Sequence, residues 1–176
     1  MNMVGSSLPL FVFSIAIHFL LIVNQDSALA TDLINKSCSG TKVPNICVST
    51  LEADPRSKAT TNLQSLSRIA IDIISEKINE TVSPFTKTEK NVTDPHLKKN
   101  IEACIKVFHE IYRIIKFPGI PNFETGDYKD VKQDLHWCAI AASECQDKGT
   151  KLFSKEVETL SNFSLDMMNF MDMLSS

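Results

Sequence analysis

Cysteine is the residue type in this sequence that points most directly to chemistry. Five cysteines occur, namely Cys38, Cys47, Cys104, Cys138 and Cys145. In an oxidising compartment such residues form disulfides, and an odd number leaves at least one thiol free or bound to another chain. A zinc site formed by His136, Cys138 and Cys145 is the alternative. His136 and Cys138 lie two positions apart on a predicted helix and point about 200° away from each other, so they cannot bind one metal together.

The sequence lacks the patterns that are typical of catalytic sites. It contains no HExxH, no GxSxG and no glycine-rich phosphate loop, and only five glycines occur in 176 residues. Outside the N-terminal apolar run the histidines are His96, His109 and His136. Pairing Cys138 with one of them for nucleophilic catalysis would need a contact that spacing alone does not place. We therefore predict that the protein is not an enzyme and uses no metal or cofactor.

The N-terminus resembles a secretory signal. An apolar run from Leu8 to Val23 is followed by Ala28-Leu29-Ala30, which fits the small-residue cleavage pattern. A membrane anchor is the alternative, but a spanning helix needs about twenty apolar residues and this run is shorter. We predict that residues 1–30 are a cleaved signal peptide, and that residues 31–176 form one secreted domain.

Glycan acceptor sites and charge agree with secretion. The Asn-x-Ser/Thr pattern occurs four times, at Asn35, Asn79, Asn91 and Asn162, and predicts N-glycosylation. Without Asp26, twenty acidic and eighteen basic side chains remain, a net charge of −2. This charge does not favour binding to nucleic acid or to an anionic membrane. We therefore expect neither partner.

Apolar residues recur at helical spacing along most of the predicted domain. Residues 31–56 read as two short helices around Gly40, which a Cys38–Cys47 disulfide would stabilise. Residues 60–174 read as four long amphipathic helices, predicting an all-α, up-down-up-down four-helix bundle that follows the helical hairpin. The first long helix is predicted over residues 60–82, ending at Ser83-Pro84, and the last over residues 151–174.

The second and third long helices carry the remaining cysteines. Asp94-Pro95 is typical of a helix start, and Phe117-Pro118-Gly119 predicts the end of that helix. Helical rise places Cys104 about 20 Å from this turn, Cys138 about 16 Å and Cys145 about 27 Å, so the geometry mildly favours Cys138 as the partner and leaves Cys145 open. Trp137 fits either a core position or a contact with a partner.

Taken in order, these features resemble the plant invertase and pectin methylesterase inhibitor family. The similarity is carried by Cys38 and Cys47, by Leu51-Glu-Ala-Asp54-Pro55, by Asp94-Pro-His-Leu-Lys98 before Cys104, and by Cys145-x-Asp147. It covers the whole predicted domain. It implies the disulfides Cys38–Cys47 and Cys104–Cys145, and it leaves Cys138 as a free thiol.

The resemblance also implies a function and a set of contact residues. It implies a monomeric inhibitor in the plant cell wall that blocks the active-site cleft of pectin methylesterase with its second and third bundle helices. Tyr128, Lys129, Glu144 and Asp147 are the expected contacts with that partner. The family's Ser-Ala-Ala-Leu and Pro-Lys-Phe elements are replaced by residues 136–139 and 128–130. An inhibitor of invertase and a non-inhibitory bundle with a binding or signalling role are therefore the alternatives.

Overall fold

Helices make up the regular structure of the described part of the chain, which in this computed structural model comprises residues 28–147 and 154–176. The prediction of an all-α protein is confirmed. Residues 1–27 of the predicted signal peptide and the first residues of the predicted last helix, 151–153, lie outside the described residues, whereas residues 28–30 belong to the first helix. The helices are α1 (28–38), α2 (Pro44–Ala53), α3 (Leu63–Glu89), α4 (Pro95–Ile114), α5 (Ile120–Thr125), α6 (Tyr128–Asp147) and α7 (Ser154–Ser175).

The four long helices form the predicted bundle. Helix α3 packs against α4, α4 against α6, α6 against α7 and α7 back against α3, so consecutive helices are neighbours in a closed ring. Large apolar side chains fill the space between them, because each helix turns one apolar stripe inward. The largest fully buried ones are four phenylalanines, Phe85, Phe108, Phe163 and Phe170.

The N-terminal hairpin of α1 and α2 packs on the outside of the bundle. The Cys38–Cys47 disulfide joins its two helices, with 5.7 Å between the Cα atoms. Helix α2 contacts α7, where the fully buried carboxylate of Asp166 accepts the backbone N–H of Val43 at 3.0 Å through Oδ1. Burial raises the pKa of Asp166, although this hydrogen bond opposes the shift. A buried polar contact therefore fixes the hairpin turn on the bundle.

Helix α3 is longer than the sequence predicts. The predicted end at Ser83-Pro84 is wrong, because the helix continues through Pro84 to Glu89. An interior proline costs about 3 kcal/mol, since it removes one N–H donor and crowds the preceding turn. Phe85 next to it is fully buried and meets Phe108 edge-on at 5.8 Å between ring centroids. Burying such a side chain contributes about 1.5–3 kcal/mol, which offsets the proline.

Helix α4 starts where predicted but does not stop where predicted. The Asp94 carboxylate caps it by accepting the N–H of His96 at 2.9 Å. The predicted end at Phe117-Pro118-Gly119 is wrong, since a π-helical turn, Ile115–Gly119, carries the chain directly into α5. Burial of the apolar side chains Ile115 and Phe123 (both at most 2% exposed) stabilises this continuation. In a π turn the hydrogen bonds join residues five apart instead of four, and Pro118 lies within this wider turn.

The reversal occurs at Gly126, and this decides how the cysteines pair. Gly126 adopts φ 82°, a left-handed conformation that glycine enters without strain. With the turn here, helical rise places Cys104 about 32 Å from it and Cys145 about 28 Å, whereas Cys138 is only about 18 Å away. The structure accordingly joins Cys104 to Cys145, with 5.6 Å between Cα atoms. The mild geometric preference for Cys138 was wrong because it placed the turn too early.

Removing each disulfide should destabilise the fold to a different extent. The Cys104–Cys145 bond closes a separation of 41 residues and Cys38–Cys47 one of nine. In the loop-entropy account these correspond to about 4 and about 2.5 kcal/mol. We expect the double variant Cys104→Ala/Cys145→Ala to lose more free energy of unfolding in urea than Cys38→Ala/Cys47→Ala. Equal losses would contradict the assignment of the longer bond as the main constraint.

Candidate functional site

Helix α6 is held in place by contacts at its start and along its inner face. Asp127, directly after the turn glycine, caps its first turn, with the backbone N–H of Asp130 donating to its Oδ1 at 3.4 Å. Inside the bundle, the Ser161 hydroxyl of α7 donates to the Ala139 carbonyl of α6 at 3.1 Å. Buried side chains at spacings of three and four face the core: Val131, Leu135, Cys138, Ala142 and Cys145.

One covalent bond and one ion pair join α6 to its two neighbours, α4 and α7. The Cys104–Cys145 disulfide joins it to α4, and both sulfurs lie in the core. On the solvent side, the Lys132 ammonium forms an ion pair with Asp172 of α7 at 2.6 Å. An exposed ion pair contributes little stability. The disulfide is therefore the stronger constraint on how α6 is presented to solvent.

Cys138 is a free thiol and is completely buried. The Ser164 hydroxyl donates to its sulfur at 3.3 Å. Burial raises the pKa of the thiol to about 12, which keeps it protonated at physiological pH. A thiolate is the reactive form of cysteine, so this residue has a structural position rather than that of a nucleophile.

The outer face of α6 is a continuous exposed surface with an aromatic residue midway along its length. Trp137 is 49% exposed, which settles its place on the surface rather than in the core. The His136 ring lies 6.3 Å from its ring centroid. We call this surface the α6 face, and its members are Lys129, Gln133, His136, Trp137, Ile140 and Glu144, of which Ile140 is half-buried and the others are exposed. Helical spacing places them within about 100° of one another.

The four residues predicted to contact a partner are not all on this face. Lys129 and Glu144 are both exposed there, about 22 Å apart along the helix. Tyr128 points about 100° away from Lys129 and packs edge-on against Phe123 at 5.4 Å, half-buried. Asp147 is the last residue of α6, and its side chain lies outside what the structure describes. Tyr128 therefore packs against the turn and leaves only part of its side chain exposed.

Sequence reasoning left the role of Trp137 open and did not identify Ile140. A helical projection does separate Trp137 from the buried stripe, because it points about 100° away from its neighbour Cys138. This angle shows that Trp137 is exposed only if the other helices pack against the side of α6 that carries Cys138, and the sequence does not show how the helices pack. Among the described residues there is also no cluster of histidine, cysteine and carboxylate groups that could hold a metal ion.

An acidic side chain lies beside this face, against the π turn. Asp134 is half-buried, and its Oδ2 atom is buried without a hydrogen-bond partner among the described residues. A Cβ atom at Gly119 would lie 3.2 Å from that oxygen, so glycine allows the close approach. Desolvation, with a smaller effect of the Asp130 charge, raises the pKa of Asp134 from 3.8 to about 6.

Comparison with known proteins gives one consistent result. A protein-family model described as plant invertase/pectin methylesterase inhibitor matches residues 32–175. A pectinesterase inhibitor from Actinidia deliciosa is 33% identical over 116 residues, which cover 65% of this chain and 61% of that protein. A protein named "Putative invertase inhibitor" from Platanus acerifolia is 24% identical over 142 residues, 77% of this chain and 78% of its own length.

Solved structures show the same fold. A mutant form of a pectin methylesterase inhibitor from Arabidopsis superposes with a TM-score of 0.68 at 18% identity, covering 77% of this chain and 93% of that chain. A pectin methylesterase inhibitor from Arabidopsis thaliana gives 0.60 at 17% identity, with coverages of 81% and 96%. Within the described residues, no helix has the length and apolar character needed to cross a membrane.

The raised pKa of Asp134 predicts how stability depends on pH. A carboxyl group whose folded pKa is above its unfolded value contributes stability below about pH 4, and loses it as pH rises through about 6. We expect Asp134→Asn to raise the free energy of unfolding at pH 7.5 by about 1–2 kcal/mol, allowing for partial solvent exposure, and to have little effect at pH 4.

Urea titrations at several pH values measure this effect. Asp32→Asn, at an exposed carboxylate of α1, is the matched control for the loss of one negative charge. If the free energies of unfolding of Asp134→Asn and the natural protein differ by the same amount from pH 4 to 7.5, burial of the Asp134 charge does not cause the change in stability.

Proposed function

Because this chain belongs to the plant invertase/pectin methylesterase inhibitor family, we propose that it inhibits pectin methylesterase in the plant cell wall. The family match and the similarity to a pectinesterase inhibitor from Actinidia deliciosa support this target. Inhibition needs no chemistry by the inhibitor itself, only a surface that covers the enzyme's active-site cleft. The observation that carries the proposal is that α6 presents an exposed tryptophan on a helix that a disulfide fixes to α4.

Rigidity makes this arrangement suitable for occlusion. A surface that is ordered before binding loses less conformational entropy on association than a flexible one. Helix α6 is ordered by the Cys104–Cys145 bond and by its packing against α7. The α6 face can therefore enter a cleft without reorganising.

The chemistry of the α6 face divides into an anchor and its surroundings. Tryptophan is enriched among the residues that carry most of the binding energy at protein interfaces, and Trp137 lies midway along the length of this face. Lys129 and Glu144 lie towards its two ends, where opposite charges would fix the orientation of the partner. Asp147, at the end of α6, extends the polar region in this proposal, whereas Tyr128 acts by packing under the turn.

The predicted glycan sites leave this region of the protein uncovered. Asn35, Asn79 and Asn91 are exposed and Asn162 is half-buried, on α1, α3, the α3–α4 connection and α7. Neither α4 nor α6 carries such a site. Glycans at the four positions, together with secretion, are part of the proposal, and none of them would be attached to α4 or α6.

Invertase is the second candidate target. The match to the protein from Platanus acerifolia, whose printed name refers to invertase, is the observation that favours it. We place it second because that sequence is 24% identical, against 33% for the pectinesterase inhibitor. A bundle that inhibits neither enzyme is the remaining alternative.

An assay with both purified enzymes tests the choice of target. We expect the purified protein to reduce methanol release from esterified pectin by pectin methylesterase, and to leave sucrose hydrolysis by invertase unchanged at the same concentration. Inhibition of invertase alone would replace the proposed target. Inhibition of neither enzyme between pH 4.5 and 7 would favour the non-inhibitory alternative.

A single substitution tests the proposed binding surface. Truncation of a central interface tryptophan costs about 2 kcal/mol or more, so we expect Trp137→Ala to raise the inhibition constant by about thirtyfold or more. Met173→Ala is the matched control, because Met173 is an apolar side chain of similar exposure (40%) on α7. If both variants inhibit equally well, or both weaken to the same degree, the α6 face is not the contact surface.

A further inference from the structure

Helix α4 differs from the other long helices in its charge. It carries four basic side chains (Lys98, Lys99, Lys106 and Arg113) and two acidic ones (Glu102 and Glu110), a net charge of +2. Counted in the same way, α3 has a net charge of −1, α6 of −2 and α7 of −3. The formal net charge of the whole chain is −3. Positive charge is therefore concentrated on one helix of an acidic protein.

Three of these basic residues form a straight row on the outer surface. Lys99, Lys106 and Arg113 follow at intervals of seven residues, so they lie on one side of the helix, about 10 Å apart and spanning about 21 Å. All three are exposed. Neither lysine forms an ion pair within the described part of the chain, and Arg113 contacts only the exposed Glu110, at 2.9 Å. We call these three residues the α4 cation row.

A shallow apolar depression lies between the first two members of the row. It is an open cavity of about 530 Å³, and Ala103, which is exposed, and Ile105, which is half-buried, form its apolar floor. Lys99 and Lys106 stand at its rim. The remaining lining residues are Glu89 and Glu102. Glu89 is paired with Lys98 at 3.5 Å, so Glu102 is the lining carboxylate left to oppose the two ammonium groups. An apolar floor beside this excess of positive charge suits a ligand that has both a C–H face and a carboxylate.

An exposed aromatic ring continues the row beyond Arg113. Phe117 lies four residues further along, in the π turn, and is 70% exposed. Aromatic side chains on a surface provide large contact areas and are enriched where partners bind. The pyranose ring of a sugar has an apolar face formed by its C–H groups, which can stack on such a ring. Positively charged groups and apolar surfaces thus alternate along this side of α4. A ligand that carries carboxylates and apolar sugar faces in turn would match both.

We propose that the α4 cation row binds a linear acidic polysaccharide with a carboxylate on its sugar rings, a polyuronate. Carboxylates two sugar rings apart on an extended chain would meet Lys99, Lys106 and Arg113, with sugar rings over the apolar floor and against Phe117. A membrane surface fits less well, because the large apolar residues of α4, such as Ile101 and Phe108, are buried in the bundle core. The helix therefore has no apolar stripe left for insertion into lipid.

Polysaccharide binding and enzyme inhibition can be measured separately, although the family resemblance implies that α4 also takes part in covering the enzyme. The α4 cation row and the α6 face share no residue, so either property can fail while the other holds. One consequence does rest on the proposed function. Hydrolysis of a methyl ester in pectin releases methanol and leaves a carboxylate on the polymer, so the reaction of the proposed target creates the polyanion that this row would bind. The inhibitor would then be retained where ester hydrolysis has already occurred.

Isothermal titration calorimetry with polygalacturonate tests the proposal directly, with no enzyme present. The full secreted protein should bind polygalacturonate at low salt and release it in 0.5 M NaCl. The Debye length is about 10 Å at 0.1 M salt and becomes shorter at higher salt, so interactions between exposed charges weaken. Fully methyl-esterified polymer should bind at least about tenfold more weakly.

Two matched triple variants locate the site. Lys99→Ala/Lys106→Ala/Arg113→Ala should weaken binding by about tenfold or more, since each exposed contact contributes only a small part. Lys36→Ala/Lys58→Ala/Lys155→Ala removes the same charge at exposed positions elsewhere and should bind like the natural protein. Phe117→Ala alone should weaken binding without changing its salt dependence. Lys99→Ala alone should lose less affinity for polygalacturonate than the triple variant of the α4 cation row. Circular dichroism establishes that each variant is folded.

Three results would overturn the proposal. Polygalacturonate could fail to bind the natural protein, the two triple variants could lose affinity equally, or phosphatidylserine vesicles could bind with the same dependence on the cation row. The last result would indicate a general anionic surface. Inhibition of pectin methylesterase by the same protein samples, measured on a fully esterified substrate, reports separately on the proposed function.

Discussion

The bond between Cys104 and Cys145 can form only because the chain reverses at Gly126 and not earlier. A π turn and the short helix α5 prolong α4 beyond the point at which proline and glycine would ordinarily end it. This lengthening brings Cys104 opposite Cys145. Cys138 lies two helical turns nearer the reversal, buried beside Ser164. The register of α4 against α6, and with it the set of residues that reach solvent, follows from where that turn lies.

Apolar burial outweighs local backbone preference at both prolines inside the long helices. Pro84 and Pro118 each remove a hydrogen-bond donor, yet the chain stays helical through both. Phe85, directly after Pro84, is buried against the bundle, and so are Ile115 and Phe123 on either side of Pro118. Burial of this kind depends on the other helices being present, so the same segments would not be expected to stay helical as isolated peptides.

The same bundle separates its outer surface into regions with different chemistry. On α6 an exposed tryptophan is surrounded by mixed charges, which suits a shaped protein partner. On α4 the charges are mainly positive and regularly spaced, which suits a repeating anion. The disulfide between these helices fixes both surfaces on one rigid support, while the hairpin and its buried Asp166 contact lie on α7. The half-buried carboxylate of Asp134 and the buried one of Asp166 cost stability as pH rises, which favours an acidic environment.

The sequence by itself determined the helical class, the bundle and the N-terminal hairpin, because periodic apolar residues and caps such as Asp94 act over a few turns. It also supplied the family resemblance through the order of its cysteines and short motifs. Only the tertiary structure decided that α3 continues past Pro84, that the hairpin turns at Gly126, that Trp137 is exposed and that Tyr128 packs against Phe123. These outcomes depend on contacts between residues distant in the chain, and the free energy of such contacts cannot be read from local spacing.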